Sequence, residues 1–429
     1  MQTAILGRQP KISLAELEAL YGAESITPVG DYAALIHIDA PLPQDRLGGS
    51  MKTGKLLARL ENTDLAGAFH YLQKTIPNHL EHVPEGKLQF GLSAYDFEAS
   101  AKTILKNMLS LKKIIKNCGR SVRIIENKKP ALEAAQVLYN KLTGPLGWEL
   151  LLIKDGADCL LAQTTGVQNI DDYSKRDFER PKRDAYVGML PPKLAQIMIN
   201  LAVGKQSSAL TLLDPFCGTG VVLQEALLMG YDVIGSDLSQ KMVDYTIANL
   251  EWLNSHHSRP DREFSQNIDP LLKPEDDKLG KVVNIQLADA TTHIWNLKRD
   301  LSVSPQDDDT GHSEHSEESL IITCETYLGK PLSSLPEPDK LQRIIDESNS
   351  IAEGFLKNIA GQIKSGTRLC LALPAWHLGS GQFKHLKVLD HLEDMGYNRL
   401  DLTHATKQDL IYHRDDQIVA RELTILERI

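Results

Sequence analysis

Residues 211–220, Thr-Leu-Leu-Asp-Pro-Phe-Cys-Gly-Thr-Gly, set an acid and two glycines behind an apolar run, an order that can hold a small charged ligand. The apolar part reads as a buried strand ending at Asp214, then a tight turn through Gly218 and Gly220 that opens a helix. Asp214 can hold a ligand by its charge or through water. The glycines let the backbone approach a bulky ligand, and the helix start offers free N–H groups. A second acid, Asp237, closes Tyr-Asp-Val-Ile-Gly-Ser-Asp seventeen residues after Gly220. At the end of a second strand it is placed to bind two ribose hydroxyls. These features point to a nucleoside-type cofactor. A purely structural glycine turn is the competing reading, but the full Asp-Pro-Phe-Cys-Gly-Thr-Gly string is far more specific than a bare glycine pattern.

The string resembles motif I of class I S-adenosylmethionine-dependent methyltransferases. Its Pro-Phe-Cys-Gly-Thr-Gly form is similar to the branch that methylates exocyclic amino groups of nucleic acid bases. Upstream, Gly-Met-Leu-Pro-Pro-Lys-Leu-Ala at 188–195 is similar to the motif preceding motif I in tRNA guanine-N2 methyltransferases of the position-10 type, and Arg-Asp-Phe-Glu-Arg-Pro-Lys-Arg-Asp at 176–184 is family-like too. The resemblance is strong over about 165–250, fair over the rest of the C-terminal half and weak over the first 165 residues. It implies an α/β, Rossmann-like domain with a mostly parallel seven-stranded sheet, preceded by a smaller α+β, THUMP-like RNA-binding region. It implies S-adenosylmethionine as cofactor, held by Pro192, Lys193, Asp214, Phe216, Cys217, Gly218, Gly220, Asp237, Leu238, Asp289 and Ala290. In that family the acid matching Asp289 accepts the adenine amino group of the cofactor.

Amino-group methyltransferases of this kind carry Asp/Asn-Pro-Pro-Tyr/Phe after the fourth strand. The acid or amide accepts hydrogen bonds from the target amine, and the ring stacks on the flipped base. This chain has Glu325-Thr326-Tyr327-Leu328-Gly329, with both prolines missing and the aromatic one place early. Glu325 and Tyr327 are the expected catalytic residues. Either they fill the same roles in a divergent subfamily, or the chain binds RNA without methylating it. A DNA adenine-N6 methyltransferase would share the motifs up to the third strand, but would usually carry its own target-recognition region and an intact four-residue motif. An enzyme acting on protein or small molecules would not need the N-terminal region.

The elements that must position these residues are legible in outline. A chain of 429 residues suits two or three domains, and 42% hydrophobic with 24% charged residues allows an ordinary globular core. The division expected is an RNA-binding region over 1–165, a linker over 166–183 and the methyltransferase domain over 184–429, with insertions near 255–281 and 302–318. The latter, acidic and poor in apolar residues, reads as disordered. In the first half the sequence predicts a strand at Thr3–Leu6, a helix over Leu14–Tyr21 capped by Ser13 with Glu16 in a capping box, a strand at Leu35–Ile38 and a helix over 64–75. It then predicts a strand at Leu88–Tyr95, a helix over 98–117 stopped by Gly119, a strand at Ser121–Ile125, a helix over Ala131–Leu142 and strands at Trp148–Lys154 and Asp158–Thr164.

From 184 onward strands and helices alternate, which argues a parallel sheet. Helices are predicted over 191–203, 219–229, 338–364 and 384–395. Another is capped by Ser239 and buries Met242, Val243, Ile247 and Leu250. Strands are predicted over 210–214, 231–236, Val282–Leu287, Ser319–Cys324 and Arg368–Pro374, with Leu400–Thr403 pairing Arg421–Leu426 as an antiparallel closing pair.

Net charge is −10, but residues 1–200 hold 25 basic against 22 acidic residues, leaving 22 against 35 for the rest. The first half can thus present a basic face to RNA, since phosphate affinity follows local cations. The densest run is Lys102–Lys129, and Lys112, Lys113, Lys116, Arg120 and, further on, Arg183 are the expected RNA contacts. His413-Arg414 sits in a closing connection and is either a further RNA contact or a plain hairpin loop. Five cysteines stand singly at 118, 159, 217, 324 and 370, without zinc spacing, so reduced thiols in the cytoplasm and no metal are expected. There is neither an 18-residue apolar run nor a signal-peptide pattern, so no membrane partner is expected. tRNA or another RNA is the expected partner. An activating subunit or a homodimer is left open.

Overall fold

The computed structural model describes residues 1–184, 190–206, 210–256, 279–297, 319–332, 334–414 and 417–429. The expected insertion at 302–318 and most of that at 255–281 lie outside them. The described chain divides into two compact units, the first ending at Ser174 and the second beginning at Lys175.

The first unit is built on strands β1 (Gln2–Leu6), β2 (Ile26–Val29), β3 (Ala33–Ile36), β4 (Ser50–Leu60), β5 (Leu88–Tyr95), β6 (Val122–Ile124), β7 (Gly147–Asp155) and β8 (Asp158–Val167). They form one sheet in the order β2-β3-β1-β4-β8-β7-β5-β6. Its helices are α1 (Pro10–Tyr21), α2 (Leu65–His79), α3 (Ala101–Asn117) and α4 (Ala134–Tyr139), and α5 (Ile170–Phe178) runs across the unit boundary. Asp64 caps α2 by accepting from Gly67 N at 2.8 Å, and Ser100 caps α3 from Thr103 N at 3.1 Å. Ile104, Met108, Leu111 and Ile115 recur at helical spacing along α3 and bury with Phe69, Leu72 and Ile76 of α2 in one core cluster with β5 and β7.

Several expectations are corrected here. Ser13 does not cap α1. Pro10, tolerated in a first turn, starts the helix earlier, and Ser13 is buried inside it, donating to Gly49 O at 2.7 Å. Glu16 accepts from Gly48 N at 2.9 Å and Gly49 N at 2.8 Å, so the Ser-x-x-Glu pattern clamps a distant turn instead of its own helix end. The strand predicted at Leu35–Ile38 is β3, two residues earlier at Ala33–Ile36. The stretch expected as a linker contains α5, whose first turn carries Asp171 and Asp172 and whose last carries Lys175 and Arg176, matching the helix dipole.

The second unit contains β9 (Leu210–Asp214), β10 (Asp232–Asp237), β11 (Val282–Leu287), β12 (Ser319–Glu325), β13 (Arg368–Gly379), β14 (Gln382–Lys384), β15 (Tyr397–Arg399), β16 (Ile411–Tyr412) and β17 (Val419–Arg428). Its further helices are α6 (Pro192–Val203), α7 (Val221–Leu228), α8 (Gln240–His256) and α9 (Pro338–Ala360). The sheet runs β11-β10-β9-β12-β13-β17-β15, with β14 paired to β13 and β16 to β17. The first five are parallel, and β17 is antiparallel to β13. Strand order reverses between β9 and β12, and such a switch point opens a crevice at the carboxyl ends. Leu341, Ile345, Ala352, Phe355, Leu356 and Ile359 of α9 share a core cluster with Ile322, Leu369 and Leu371 of the sheet.

No α-helix forms over 384–395. β13 runs on to Gly379 and turns through Ser380 and Gly381, both at positive φ (52° and 73°), into β14. Leu386, Val388 and Leu392 are then buried by two short 3₁₀ turns, because their 2- and 4-residue spacing does not sustain one helical face. The closing pair also shifts: Tyr397–Arg399, not Leu400–Thr403, pairs with Leu426–Arg428.

Candidate active site

Asp214 is the last residue of β9, 1% exposed, and its Oδ1 accepts from Phe216 N at 3.1 Å. Burial pushes its carboxyl well above the ordinary range, with Asp237 and Glu325 adding like-charge repulsion and the Phe216 N–H opposing them. The turn then passes through Gly218 (φ 52°) and Gly220 (φ 81°), conformations that favour glycine. Asp237, ending β10, accepts from Gly218 N at 3.0 Å and Ser239 N at 2.8 Å, so the two acids and the glycine turn form one hydrogen-bonded unit. Burial raises the Asp237 carboxyl even so. Asp289 behaves oppositely: it lies just past β11, accepts from Thr291 Oγ1 at 2.7 Å and Thr291 N at 2.9 Å, and is held below the usual carboxylate range by those bonds.

Two polar residues of α8, outside the apolar pattern expected of it, fix this turn. Thr246 Oγ1 donates to Gly218 O at 2.9 Å. A Cβ on Gly220 would sit 3.0 Å from the Thr246 methyl, so α8 approaches closely there. Asn249, fully buried, donates to Thr219 O and to Lys182 O, both at 2.9 Å, and accepts from Lys182 N at 2.9 Å. It thereby ties the 182 segment to the glycine turn. Ile247, expected in the core, is 39% exposed. The buried stripe runs Met242, Thr246, Asn249, Leu253, and polar side chains at its helical spacing were the available signal.

A cavity of about 910 Å³ opens over these residues. Of the sequence-predicted cofactor residues, all line it except Pro192, Lys193 and Gly220. Pro192 and Lys193 open α6, while Leu190 just before them reaches the cavity. Burial, with Arg176 nearby, lowers the Lys193 ammonium. Among the described residues, six that line the cavity are acids (Asp184, Asp214, Asp237, Asp289, Glu325, Glu347) and Lys330 is the one lysine or arginine.

Glu325 is the last residue of β12 and Tyr327 is half-buried two residues on, so both expected catalytic residues line the cavity. What the sequence did not signal is that Arg421 of β17 donates through Nε to Glu325 Oε1. Burial still raises the Glu325 carboxyl, with the Arg421 guanidinium working against that rise. Thr326 N donates to Ala372 O at 3.1 Å, fixing the backbone between the two.

The expected RNA contacts are distributed. Lys113 and Lys116 are exposed on α3 and Lys112 half-buried on its flank; the centre of the solvent face is Lys102, Lys106, Leu109, Lys113 and Lys116. Arg120 donates to Pro84 O, and Arg183, in the second unit, lies over the Phe178 ring at 5.2 Å. His413 belongs to a cluster of rings with His377 (4.6 Å) and Phe383 (5.3 Å), where β13, β14 and the connection to β17 meet.

Residues 180–263, which contain the glycine turn, Asp237 and Asn249, match the family model described as RMKL-like, methyltransferase domain. The match lies in the second unit, whose parallel strands and glycine turn make a Rossmann-like fold of the class I methyltransferase kind. Curated relatives agree: the chain is 32% identical over 175 residues to the tRNA (guanine(10)-N2)-dimethyltransferase of Methanothermobacter thermautotrophicus, covering 40% of this chain and 45% of that protein. It is 39% identical over 100 residues to the protein of the same name from Methanocaldococcus jannaschii, covering 22% and 28%. The chain therefore spans less than half the length of these relatives. The crystal structure of TrmN from Thermus thermophilus aligns over 100% of this chain and 99% of that one at 17% identity, with a TM-score of 0.47. The Rossmann-like fold of the second unit thus rests on its own strand order and glycine turn, and the likeness to methyltransferases on the match over 180–263.

Proposed function

We propose that this chain transfers a methyl group from S-adenosylmethionine to the exocyclic N2 of guanine in tRNA. The observation carrying this is one acid-lined cavity that joins Asp214, Asp237 and Asp289 to Glu325 and Tyr327 at the carboxyl ends of β9, β10, β11 and β12.

The residues present fit that cofactor. Six acids against Lys330 would repel a polyphosphate but suit a ligand carrying a sulfonium and an ammonium. A Cβ placed on Gly218 would meet nothing nearer than Phe216 O at 4.0 Å, which leaves open space above the turn for a ligand. Asp237 and Leu238 would hold the ribose and Asp289 with Ala290 the base, while Asp214 faces the charged end. When bound, S-adenosylmethionine supplies an electrophilic methyl carbon with a neutral thioether leaving group. The chain's own task is alignment more than strong base catalysis. Glu325 accepts hydrogen bonds from the amine and takes the proton released as N2 gains its new bond. The Tyr327 ring stacks on the extruded base.

The first unit, read as a THUMP-like RNA-binding module, supplies phosphate contacts from the lysine face of α3. That helix has five lysines and no acid over Ala101–Asn117. A cytoplasmic location agrees with a tRNA substrate. Among the described residues no helix is long and apolar enough to cross a membrane.

A binding-only role draws on one observation, the commitment of Glu325 to Arg421. Incubating the purified chain with labelled S-adenosylmethionine and a tRNA pool separates the two. Methylated guanosine supports transfer, and tRNA binding without label supports a binding protein.

A further inference from the structure

Glu325 and Arg421 lie on strands that do not touch: β13 runs between β12 and β17. Register sets Glu325 opposite Ala372 and Arg421 opposite Pro374, so all four side chains share one face. The small Ala372 leaves room for the guanidinium to reach across the intervening strand. The pair is well shielded, with side-chain exposures of 7% for Arg421 and 15% for Glu325. Arg421 engages Oε1; among the described residues Oε2 takes no hydrogen bond, and Glu325 lines the cavity.

We propose that Arg421 is a positioning residue that keeps Glu325 a fixed two-oxygen acceptor in the cavity wall, selecting a base edge with two adjacent N–H donors. This rests on the activity proposed above. Guanine presents N1–H beside N2–H₂, two donors that match a carboxylate. Adenine presents an N1 lone pair beside N6–H₂, and a carboxylate repels that lone pair. The ion pair thus takes over the orienting task that a Pro-Pro turn performs by backbone rigidity.

The groups facing Glu325 are Arg421 from β17, which favours its ionised form, and Asp214 from β9, which opposes it; Cys324 is its neighbour on β12, and Glu347 of α9 lines the same cavity. Removing the guanidinium should therefore raise the pH at which Glu325 becomes a carboxylate.

The test measures tRNA methylation against pH at saturating cofactor for the wild type, Arg421→Gln, Arg421→Lys and Glu325→Gln. Melting temperature and calorimetric cofactor affinity are recorded beside it. Arg421→Gln should lower kcat/KM roughly 100-fold, the size expected for a lost positioning contact, and move the acidic limb to higher pH, with cofactor affinity unchanged. Arg421→Lys should restore the limb, and Glu325→Gln should remove it. A wild-type limb in Arg421→Gln overturns the role of Arg421. A retained limb in Glu325→Gln overturns it as well, and that result decides the matter if Arg421→Gln does not fold. Absence of methylation by the wild type overturns the activity itself, and this inference with it.

Discussion

At the residue scale the site is dominated by acids held at different protonation tendencies by their surroundings. Asp214 is the extreme, buried with one backbone donor and two acidic neighbours. Its folded-state pKa lies above the unfolded value, so the native state binds that proton more avidly. Stability is consequently lost as pH rises from the ordinary carboxylate range through the raised value. Asp214→Asn should then raise the melting temperature of the ligand-free protein near pH 7 by about 2–4 °C, a gain that shrinks as pH falls toward about 4. The same change should weaken S-adenosylmethionine binding by about 10-fold or more, through loss of a charge partner. Calorimetry and a pH series of melts check both. An asparagine variant that binds the cofactor normally would remove Asp214 from the site.

At the element scale, strands and turns were legible in the sequence where a single local pattern decides them. β5 and β11 fall at the predicted limits because an apolar run bounded by turn residues leaves little choice. Asp214, Asp237, Asp289 and Glu325 were legible as candidates because each ends or follows such a strand, and all four line the cavity. Arg421 was not, since its partner is 96 positions away and no local pattern links them. Ser13 and Glu16 mislead because their spacing is that of a capping box while their partners, Gly48 and Gly49, come from another segment. On α8 side-chain polarity favours burying Ile247 over Thr246, although the helical stripe needs the threonine.

That contrast on α8 is testable. Asn249→Ala strips partners from Thr219 O and from both Lys182 backbone groups, and should cost about 1–3 kcal/mol while loosening the glycine turn and weakening cofactor binding. Ile247→Ala, on the exposed side, should change stability by less than about 0.5 kcal/mol. Denaturant midpoints of the two variants measure this directly. Equal losses would mean the helix is held by its apolar residues alone.

On α3 the exposed face, not the sequence run, defines which cations act together. Lys102, Lys106, Lys113 and Lys116 share that face at helical spacing, with Leu109 between Lys106 and Lys113, whereas Lys112 sits on the flank. Replacing those four with glutamine should flatten the salt dependence of tRNA affinity by roughly one unit per lost contact. Replacing Lys112 alone should leave the slope close to wild type. Filter-binding titrations at several salt concentrations distinguish a phosphate-binding face from a merely solvated one.

At the scale of the whole molecule, charge is divided between the halves: +3 over residues 1–200 and −13 over the remainder. The acidic half carries the Rossmann-like sheet and the acid-lined cavity, and the basic excess lies with the lysine helix. A net charge of −10 is therefore compatible with an RNA substrate, because phosphates respond to local cations. The most direct measurement is transfer itself. The purified chain is incubated with tRNA and S-adenosylmethionine carrying an isotopic methyl, and the tRNA is digested and resolved by mass spectrometry. Label in N2-methylated guanosine, lost in Glu325→Ala by about 100-fold or more while cofactor binding persists, is the predicted result. Label in N6-methyladenosine, or no labelled nucleoside from any tRNA despite normal cofactor binding, would contradict it.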